Sequence, residues 1–204
     1  MNKSTTLKPD DYLVPKSKHQ HEIKVKGSRF LCTVIPCASK KEAEEEYAAI
    51  KKKYYDATHN CFAWRINQEE FRYSDDGEPS GTAGKPILQA IDGKELKEVL
   101  CIVTRYYGGT KLGTGGLIRA YGDSTVQALT NTPIKIKTHW AEVNIEFDYT
   151  FENLIRRTLA EFNGKIEDSD YSEIVKMRLA LPQSVCDSFK SKILETTNSQ
   201  INIS

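Results

Sequence analysis

The feature that most constrains this chain is a short apolar run followed directly by a glycine-rich segment and then by a helical pattern. Val99–Val103 holds five apolar residues, too few for a helix and rich in β-branched side chains, which is typical of a strand buried on both faces. Six of the chain's twelve glycines then fall within fifteen positions. Leu117–Thr130 has a helical pattern, with Thr114 as its expected N-cap. The sequence therefore predicts a buried strand, a sharp exposed loop and a helix N-terminus in succession.

The same segment carries positive charge and no negative charge. No Asp or Glu stands between Glu98 and Asp123. Three cations fall in the same interval: Arg105, Lys111 and Arg119. Unpaired amides at a helix start, the positive end of the helix dipole and nearby cations favour an anion such as phosphate. The predicted anion-binding or nucleic-acid-binding residues are Arg105, Tyr107, Gly108, Gly109, Lys111, Gly113, Gly115, Gly116 and Arg119, with Lys85 and Arg72 as neighbours. The alternative interpretation is that the glycines only shape a tight strand-to-helix corner.

Two tyrosines at the end of the strand add a stacking group. Tyr106 and Tyr107 alternate across the strand, so at most one of them faces a ligand and stacks on a base. Two standard nucleotide motifs fail nearby. A GxGxxG motif beginning at Gly113 meets Ile118 where it needs glycine, and a Walker A motif ending at Lys85 meets proline at position 79. The sequence supports neither a Rossmann enzyme nor a standard NTPase, and no cofactor is predicted.

Composition and charge bound the class of protein. The 204 residues suffice for one large domain or two small ones, and 39% hydrophobic with 28% charged residues is ordinary for a globular chain. The five cysteines show no CxxC spacing, which disfavours zinc and disulfides and favours a reducing compartment. The first ten residues have no apolar core of a signal peptide, and no run reaches the ~18 apolar residues of a membrane span. We therefore predict a cytoplasmic protein with no membrane partner.

The chain divides into a basic first part and an acidic second part. Residues 1–135 carry a net charge of +4 and residues 136–204 a net charge of −3, which favours an anionic partner for the first part. The sequence predicts a flexible segment over residues 1–20, an N-terminal α/β domain over 21–133 and a C-terminal domain over 136–204. The N-terminal domain includes a helix from Lys40 to about Tyr54 capped by Ser39. The C-terminal domain has the βαββαβ order of a ferredoxin-like fold, so the predicted fold class is α+β.

A second loop with acidic residues is the predicted secondary site. It comprises Asp75, Asp76 and Glu78, together with His59 on a preceding strand. Clustered carboxylates suit a hard cation, but an Asp-Gly turn explains the same residues, and no metal site is assigned. His59 and Cys61 share one strand face, but nothing beside them supplies an oxyanion site, so no catalytic residue is assigned.

The motifs of both loops resemble the IMPACT/YigZ family in its bacterial, YigZ-like branch. They are Ala57–Cys61, Ser74–Pro86, Arg105–Gly109, Leu112–Leu117 and Arg119–Tyr121. The resemblance covers about residues 22–132. It implies an N-terminal domain with the fold of domain IV of elongation factor G and a C-terminal domain similar to domain V of that factor. Those domains face the ribosome and its bound RNA.

The eukaryotic members of the family resemble regulators of translation. They act in the amino-acid-starvation response by competing for an activator of an initiation-factor kinase. We expect the present chain to lack the extra N-terminal protein-binding domain of those members, and we do not transfer their role in the kinase pathway to it.

Three functions follow from these patterns. The first is a non-enzymatic translation-associated protein that binds RNA or the ribosome through the basic glycine-rich loop. The second is an enzyme acting on a phosphorylated small molecule, with His59 and one of the acidic loop residues in acid–base roles. The third is an interaction module that docks on a protein partner in translation regulation. The C-terminal domain has no glycine-rich turn and no His/Cys cluster, which predicts docking or scaffolding.

Overall fold

The computed structural model describes residues 7–204, and they form an α+β protein of two compact units. One unit is Tyr12–Ile136, and the other comprises Lys137–Ser204 with the segment that ends at Asp11. Across the described residues, no helix is long and apolar enough to cross a membrane.

The larger unit is built on a five-stranded antiparallel sheet with helices on both faces. Its strands and helices are β1 (Asp11–Pro15), β2 (His19–Val25), β3 (Ser28–Pro36), α1 (Lys40–Lys53), β4 (His59–Arg65), β5 (Phe71–Ser74), α2 (Gly84–Asp92), β6 (Val99–Tyr106), α3 (Gly113–Asn131) and β7 (Ile134–Thr138). The sheet order is β2-β3-β6-β4-β5, and β1 pairs with β7 in a separate two-stranded sheet. Strand β6 therefore lies in the middle of the sheet.

Strand β6 is buried on both faces, as its apolar run predicts. Cys101 and Val103 pack in the core beneath α2 and α3, while Leu100 and Ile102 pack in the core beneath α1. The strand continues three residues beyond the predicted run and takes Arg105 into the sheet. A charged residue is tolerated there because its charge is paired, as described below.

The smaller unit has the βαββαβ order that the sequence predicts. Its elements are β8 (Trp140–Phe147), α4 (Glu152–Glu161), β9 (Lys165–Tyr171), β10 (Val175–Pro182), α5 (Cys186–Thr196) and β11 (Asn202–Ile203). They form an antiparallel sheet in the order β11-β8-β10-β9. One sheet face and both helices bury an apolar core that includes Phe147, Leu179 and Phe189. Charged and polar side chains cover the opposite face.

The predicted flexible segment over residues 1–20 needs correction. Residues 1–6 lie outside the described residues, but Asp11–Pro15 form β1 and His19 begins β2. Val14 is 1% exposed, and the amide of Lys16 donates to the carbonyl of Pro133 at 2.7 Å. Sequence reasoning missed this strand because three apolar residues sit inside a stretch rich in Lys and Pro.

Candidate anion-binding site

A cavity of about 490 Å³ opens where the glycine-rich loop meets the start of α3. Its lining comes from the start of β4, the acidic loop, the end of β6 and the first turns of α3: Thr58, His59, Glu78, Pro79, Arg105, Tyr107, Lys111, Leu112, Gly113, Thr114 and Leu117. The structure thus brings part of the predicted anion-binding set and part of the predicted secondary site into one cavity.

The register between β4 and β6 explains how the two sets meet. His59 lies directly opposite Arg105 in this antiparallel pair. Side chains directly opposite in a sheet lie about 5 Å apart at their Cβ atoms. The amide of Thr58 also donates to the carbonyl of Arg105 at 2.9 Å, which extends the pairing to the edge of the cavity.

A buried ion pair forms the inner wall of the cavity. Arg105 donates from Nη1 to Oε1 of Glu78, and Tyr121 donates its hydroxyl to the same oxygen at 2.8 Å. Arg105 is 6% exposed and Glu78 8% exposed. A buried charge is tolerated when it is both paired and hydrogen-bonded, and this carboxylate meets both conditions. The positive charge of Arg105 is therefore largely neutralised by Glu78 within the protein.

The hydroxyl and thiol behind this pair are held in their neutral forms. Burial raises the pKa of Tyr121 well above its ordinary value, with Cys61 and Glu78 adding to the effect. Burial likewise raises the pKa of Cys61 well above that of a free thiol. The Cys61 sulfur lies 3.0 Å from the carbonyl oxygen of Asp75 and 3.3 Å from the Tyr121 hydroxyl, and its single S–H proton serves one of these contacts at a time. Since the thiolate is the reactive form, Cys61 acts as packing and not as a nucleophile.

The tautomer of His59 is fixed by its surroundings. Nδ1 lies 2.8 Å from the backbone carbonyl of Asp76, and a carbonyl only accepts hydrogen bonds. Nδ1 therefore carries the hydrogen, and Nε2 of the neutral ring carries a lone pair. Nε2 lies 4.0 Å from Oε1 of Glu78, too far for a hydrogen bond. The ring nitrogen Nε2 of His59 and the carboxylate of Glu78 thus lie side by side in the cavity.

The start of α3 differs from the sequence prediction. The helix begins at Gly113 and not at Leu117, and neither Thr114 nor any other side chain of the described residues caps it. Its first turn holds no acidic residue. Gly113 has φ of +71°, a conformation that favours glycine, and a Cβ built there would meet nothing within 4 Å. The amides of the first turn are consequently left for a ligand or water.

The start of α2 shows the opposite arrangement. The Asp75 carboxylate accepts hydrogen bonds from the amides of Ala83 and Gly84 at 2.9 and 2.8 Å, and from Gly81 at 2.8 Å. An anion from the chain itself therefore occupies the N-terminus of α2. No residue of the described chain plays that part at α3.

The loop cations and tyrosines take different positions. Lys111 lines the cavity, is exposed, and has no ion-pair partner among the described residues. Tyr107 is 47% exposed, and its ring centroid lies 5.6 Å from the guanidinium carbon of Arg105. Tyr106 instead donates its hydroxyl to Asp56 at 3.0 Å. Of the two tyrosines, only Tyr107 lines the cavity.

Several residues of the predicted anion-binding set do not line the cavity: Gly108, Gly109, Gly115, Gly116, Arg119, Lys85 and Arg72. Arg72 pairs with Glu44 of α1 at 3.2 Å. Gly108 has a structural reason, because a Cβ there would lie 1.9 Å from the carbonyl carbon of Gly27. Lys85 and Arg119 are exposed on α2 and α3. The cavity therefore brings together only part of the predicted set, and the role of the other residues stays a prediction.

The three carboxylates of the secondary site have separate structural partners. Asp75 holds the start of α2, and Glu78 pairs with Arg105. Asp76 accepts from the amide of Asn60 at 2.7 Å and from Lys51 at 2.8 Å. Within residues 7–204, no group of three His, Cys, Asp or Glu side chains is arranged to hold a metal ion. The turn interpretation therefore accounts for Asp75 and Asp76.

Sequence reasoning missed Tyr121 and the cavity-lining residues Thr58 and Pro79. Tyr121 follows Leu117 by one helical turn, so the apolar stripe of α3 marks it as inward-facing. No local signal links it to Glu78, because the two residues lie 43 positions apart.

Comparisons with known proteins cover both units. The Impact N-terminal domain matches residues 26–129, and a domain of unknown function, DUF1949, matches residues 145–200. The chain is similar to the IMPACT family member YvyE of Bacillus subtilis (strain 168), 36% identical over 194 residues that cover 94% of this chain and 89% of that protein. It is also similar to the IMPACT family member YigZ of Escherichia coli (strain K12), 33% identical over 198 residues that cover 95% and 97%.

A solved structure is also similar to this chain over almost its whole length. A crystal structure described as that of a hypothetical protein matches with a TM-score of 0.68 and 33% identity, covering 95% of this chain and 96% of that one. The names of the curated relatives state no enzymatic activity.

Proposed function

The chain belongs to the IMPACT family, a family of translation-related regulators, and from this premise we propose that it binds RNA, free or in the ribosome, without catalysing a reaction. The observation that carries the proposal is the cavity beside α3. It places the unpaired Lys111, the exposed Tyr107 and an uncapped helix N-terminus around one space.

Each of these groups suits one part of a nucleotide. Lys111 supplies a positive charge that the protein does not neutralise, whereas the charge of Arg105 is paired with Glu78. The amides and dipole at the start of α3 favour a phosphate oxygen. An aromatic ring such as Tyr107 stabilises a stacked base by about 1–3 kcal/mol. A phosphate at the helix start and a base on the tyrosine place one nucleotide in the cavity.

The resemblance to elongation factor G supports the same function. Domains IV and V of that factor face the ribosome and its bound RNA, and the family motifs imply those folds for this chain. The smaller unit then serves as a docking domain, on the ribosome or on a protein partner in translation regulation. A pulldown of a protein partner that survives nuclease treatment would favour docking on that partner over direct RNA binding.

Salt-dependent binding tests the proposal. Fluorescence anisotropy of a labelled single-stranded RNA is measured from ~50 to ~200 mM salt, where phosphate contacts lose most of their strength. We expect Lys111→Ala to weaken binding several-fold and to lower the slope of log affinity against log salt by about 0.7, the loss of one phosphate contact. Lys52→Ala removes an exposed lysine of α1 that belongs to no predicted site and should change neither value. Salt-insensitive binding, absent binding or an equal effect of both variants would contradict the proposal.

A second candidate function is favoured by one observation, the presence of His59 and Glu78 in the same cavity. In that case the protein is an enzyme that acts on a phosphorylated small molecule, with His59 in an acid–base role. A phosphatase and nucleotidase screen tests it, with His59→Phe as the control. Turnover that is lost in the variant would favour this function over RNA binding.

A further inference from the structure

We propose that the cavity beside α3 receives the end of an RNA strand and binds a terminal phosphate monoester there, in preference to a phosphodiester inside the strand. The inference rests on the proposed function, RNA binding in the same cavity, and names the part of the RNA that the cavity recognises. It is carried by a surplus of hydrogen-bond donors at the cavity wall, contributed by two different elements.

The first donor group is the guanidinium of Arg105, which lines the cavity in a residue that is only 6% exposed. A guanidinium carries five N–H donors and no acceptor. Among the described residues Arg105 makes one hydrogen bond, from Nη1 to Glu78, and its Nε is buried without a partner. A buried donor without a partner is unfavourable. The side chain therefore keeps N–H groups for an acceptor that enters the cavity.

The second donor group is the start of α3. No side chain of the described residues caps this helix, and its first turn holds no acidic residue. Gly113 and Thr114 belong to that turn, and both residues line the cavity. The helix dipole places partial positive charge at the same point. The end of β6 and the start of α3 thus direct donors into one space.

Of the Lys, Arg and Glu side chains in the lining, one is left unpaired. Arg105 and Glu78 compensate each other as a buried pair, whereas Lys111 is exposed and has no ion-pair partner among the described residues. Lys85 and Arg119 are exposed but do not line the cavity. Proteins that bind the middle of a single strand use a positively charged groove that follows the backbone. The lining instead provides for one phosphate.

A terminal phosphate monoester suits these donors better than an internal diester does. The monoester has three strong acceptor oxygens and a charge of about −1.5 to −2 at pH 7. An internal diester has two free oxygens and a single negative charge. The monoester therefore accepts from the helix amides, from Lys111 and from Arg105 together. A strand end also needs room on one side only, which a cavity of about 490 Å³ provides.

Three single-stranded RNA oligonucleotides of one sequence test the proposal: one with hydroxyl groups at both ends, one with a 5′-phosphate and one with a 3′-phosphate. Each competes against the same internally labelled RNA, so that no dye occupies an end. We expect at least one phosphorylated form to bind about tenfold more tightly than the hydroxyl form, because charged groups make the stronger hydrogen bonds. Methylation of that phosphate, which turns the monoester into a diester, should remove most of the gain.

Thr114→Asp tests whether the start of α3 holds the phosphate. It gives this helix an anion of the chain itself, as Asp75 does at α2. Thr114→Asn, which introduces a side chain of the same size without the charge, is the matched control. We expect Thr114→Asp to abolish the preference for the phosphorylated form and Thr114→Asn to keep it. An acidic residue in the first turn stabilises a helix, so Thr114→Asp should not lower the denaturation midpoint.

Arg105→Lys tests the other donor group, since it keeps a positive charge beside Glu78 but lacks Nε and the planar guanidinium. We expect it to reduce the preference for the phosphorylated form. A preference that survives both Thr114→Asp and Arg105→Lys would overturn the inference, and so would equal binding of the three oligonucleotides by the wild-type protein. Either result would leave RNA binding intact. Failure of every oligonucleotide to bind would overturn the proposed function itself.

Discussion

The two units of this protein differ in where their paired charges lie: the larger unit buries one pair, and the smaller one keeps its described pairs at the surface. In the larger unit, Arg105 and Glu78 lie almost fully buried at the wall of a cavity. In the smaller unit, the described core is apolar, and ion pairs such as Lys176–Glu146 lie exposed on the polar sheet face. Burying a charge is unfavourable unless something compensates it. The difference teaches that, among the described residues, buried charge is confined to the larger unit, at the wall of the cavity where we propose that a ligand binds.

The cavity of the larger unit and the polar sheet face of the smaller unit differ in the same way. The cavity of the larger unit collects the unpaired cation Lys111, the ring nitrogen Nε2 of His59 and the uncapped start of α3. The polar face of the smaller unit carries side chains that pair with one another, including Arg178 with Asp168 at 3.6 Å. A surface whose charges are already paired has little left for a phosphate. This difference favours the larger unit for the proposed RNA binding and the smaller unit for the proposed docking.

The largest expected effect comes from breaking the buried ion pair. Glu78→Leu or Arg105→Met alone should lower the free energy of unfolding of the larger unit by about 3–5 kcal/mol, because each leaves one charge buried without a partner. The double variant should recover most of this loss, since an apolar pair of similar volume replaces both charges. Denaturant titration followed by the fluorescence of Trp64, which is 3% exposed in the larger unit, measures the change.

Two outcomes of that experiment would contradict the proposed difference in buried charge between the two units. If the double variant is as unstable as the single ones, the pair contributes more than mutual compensation. If the single variants are as stable as the wild type, the charges are not buried in solution.

A slightly smaller effect is expected from a cavity in the apolar core of the smaller unit. Leu179 is fully buried, so Leu179→Ala should lower the free energy of unfolding by about 2–5 kcal/mol. Trp140 reports on this unit by fluorescence. Leu194→Ala on α5, where the side chain is 36% exposed, is the matched control and should have a much smaller effect. RNA affinity of the folded Leu179→Ala variant should stay within twofold of wild type, and a larger loss would place part of the RNA site in this unit.

The smallest effect is expected at the exposed ion pair. Lys176 and Glu146 form an ion pair at 2.8 Å with side chains 50% and 39% exposed. Exposed pairs are screened by solvent and stabilise little, so Lys176→Ala should leave the denaturation midpoint unchanged within error. A shift comparable to that of Glu78→Leu would show that the charges of the two units do not differ as described.

The sequence predicts the elements of this fold well because their signals are local. Ser39 caps α1 as expected, accepting from the amide of Glu42 at 3.2 Å. The order βαββαβ follows from alternation and helical stripes within each element. Local signals do not predict the two-stranded sheet of β1 and β7, because its strands are short and far apart in the chain.

The site was predictable only in part, for the same reason. The loop glycines and the cations predict an anion site from local sequence alone, and the cavity includes Lys111 and Gly113. That His59 lies opposite Arg105 depends on the strand order of the sheet. That Glu78 neutralises Arg105 depends on the path of a loop 27 positions away. Neither relation can be inferred from the spacing of residues in the sequence.

The most direct test of the central claim is a titration of the ¹⁵N-labelled protein with a short single-stranded RNA, followed by amide chemical shifts. We expect the largest changes at Gly113, Thr114 and Gly115, the uncapped amides of α3, with changes also at Lys111 and Tyr107. Amides of residues 140–203 should stay near their starting positions. If the largest changes fall in residues 140–203 while the amides of α3 remain unmoved, the cavity is not the RNA site and the account is contradicted.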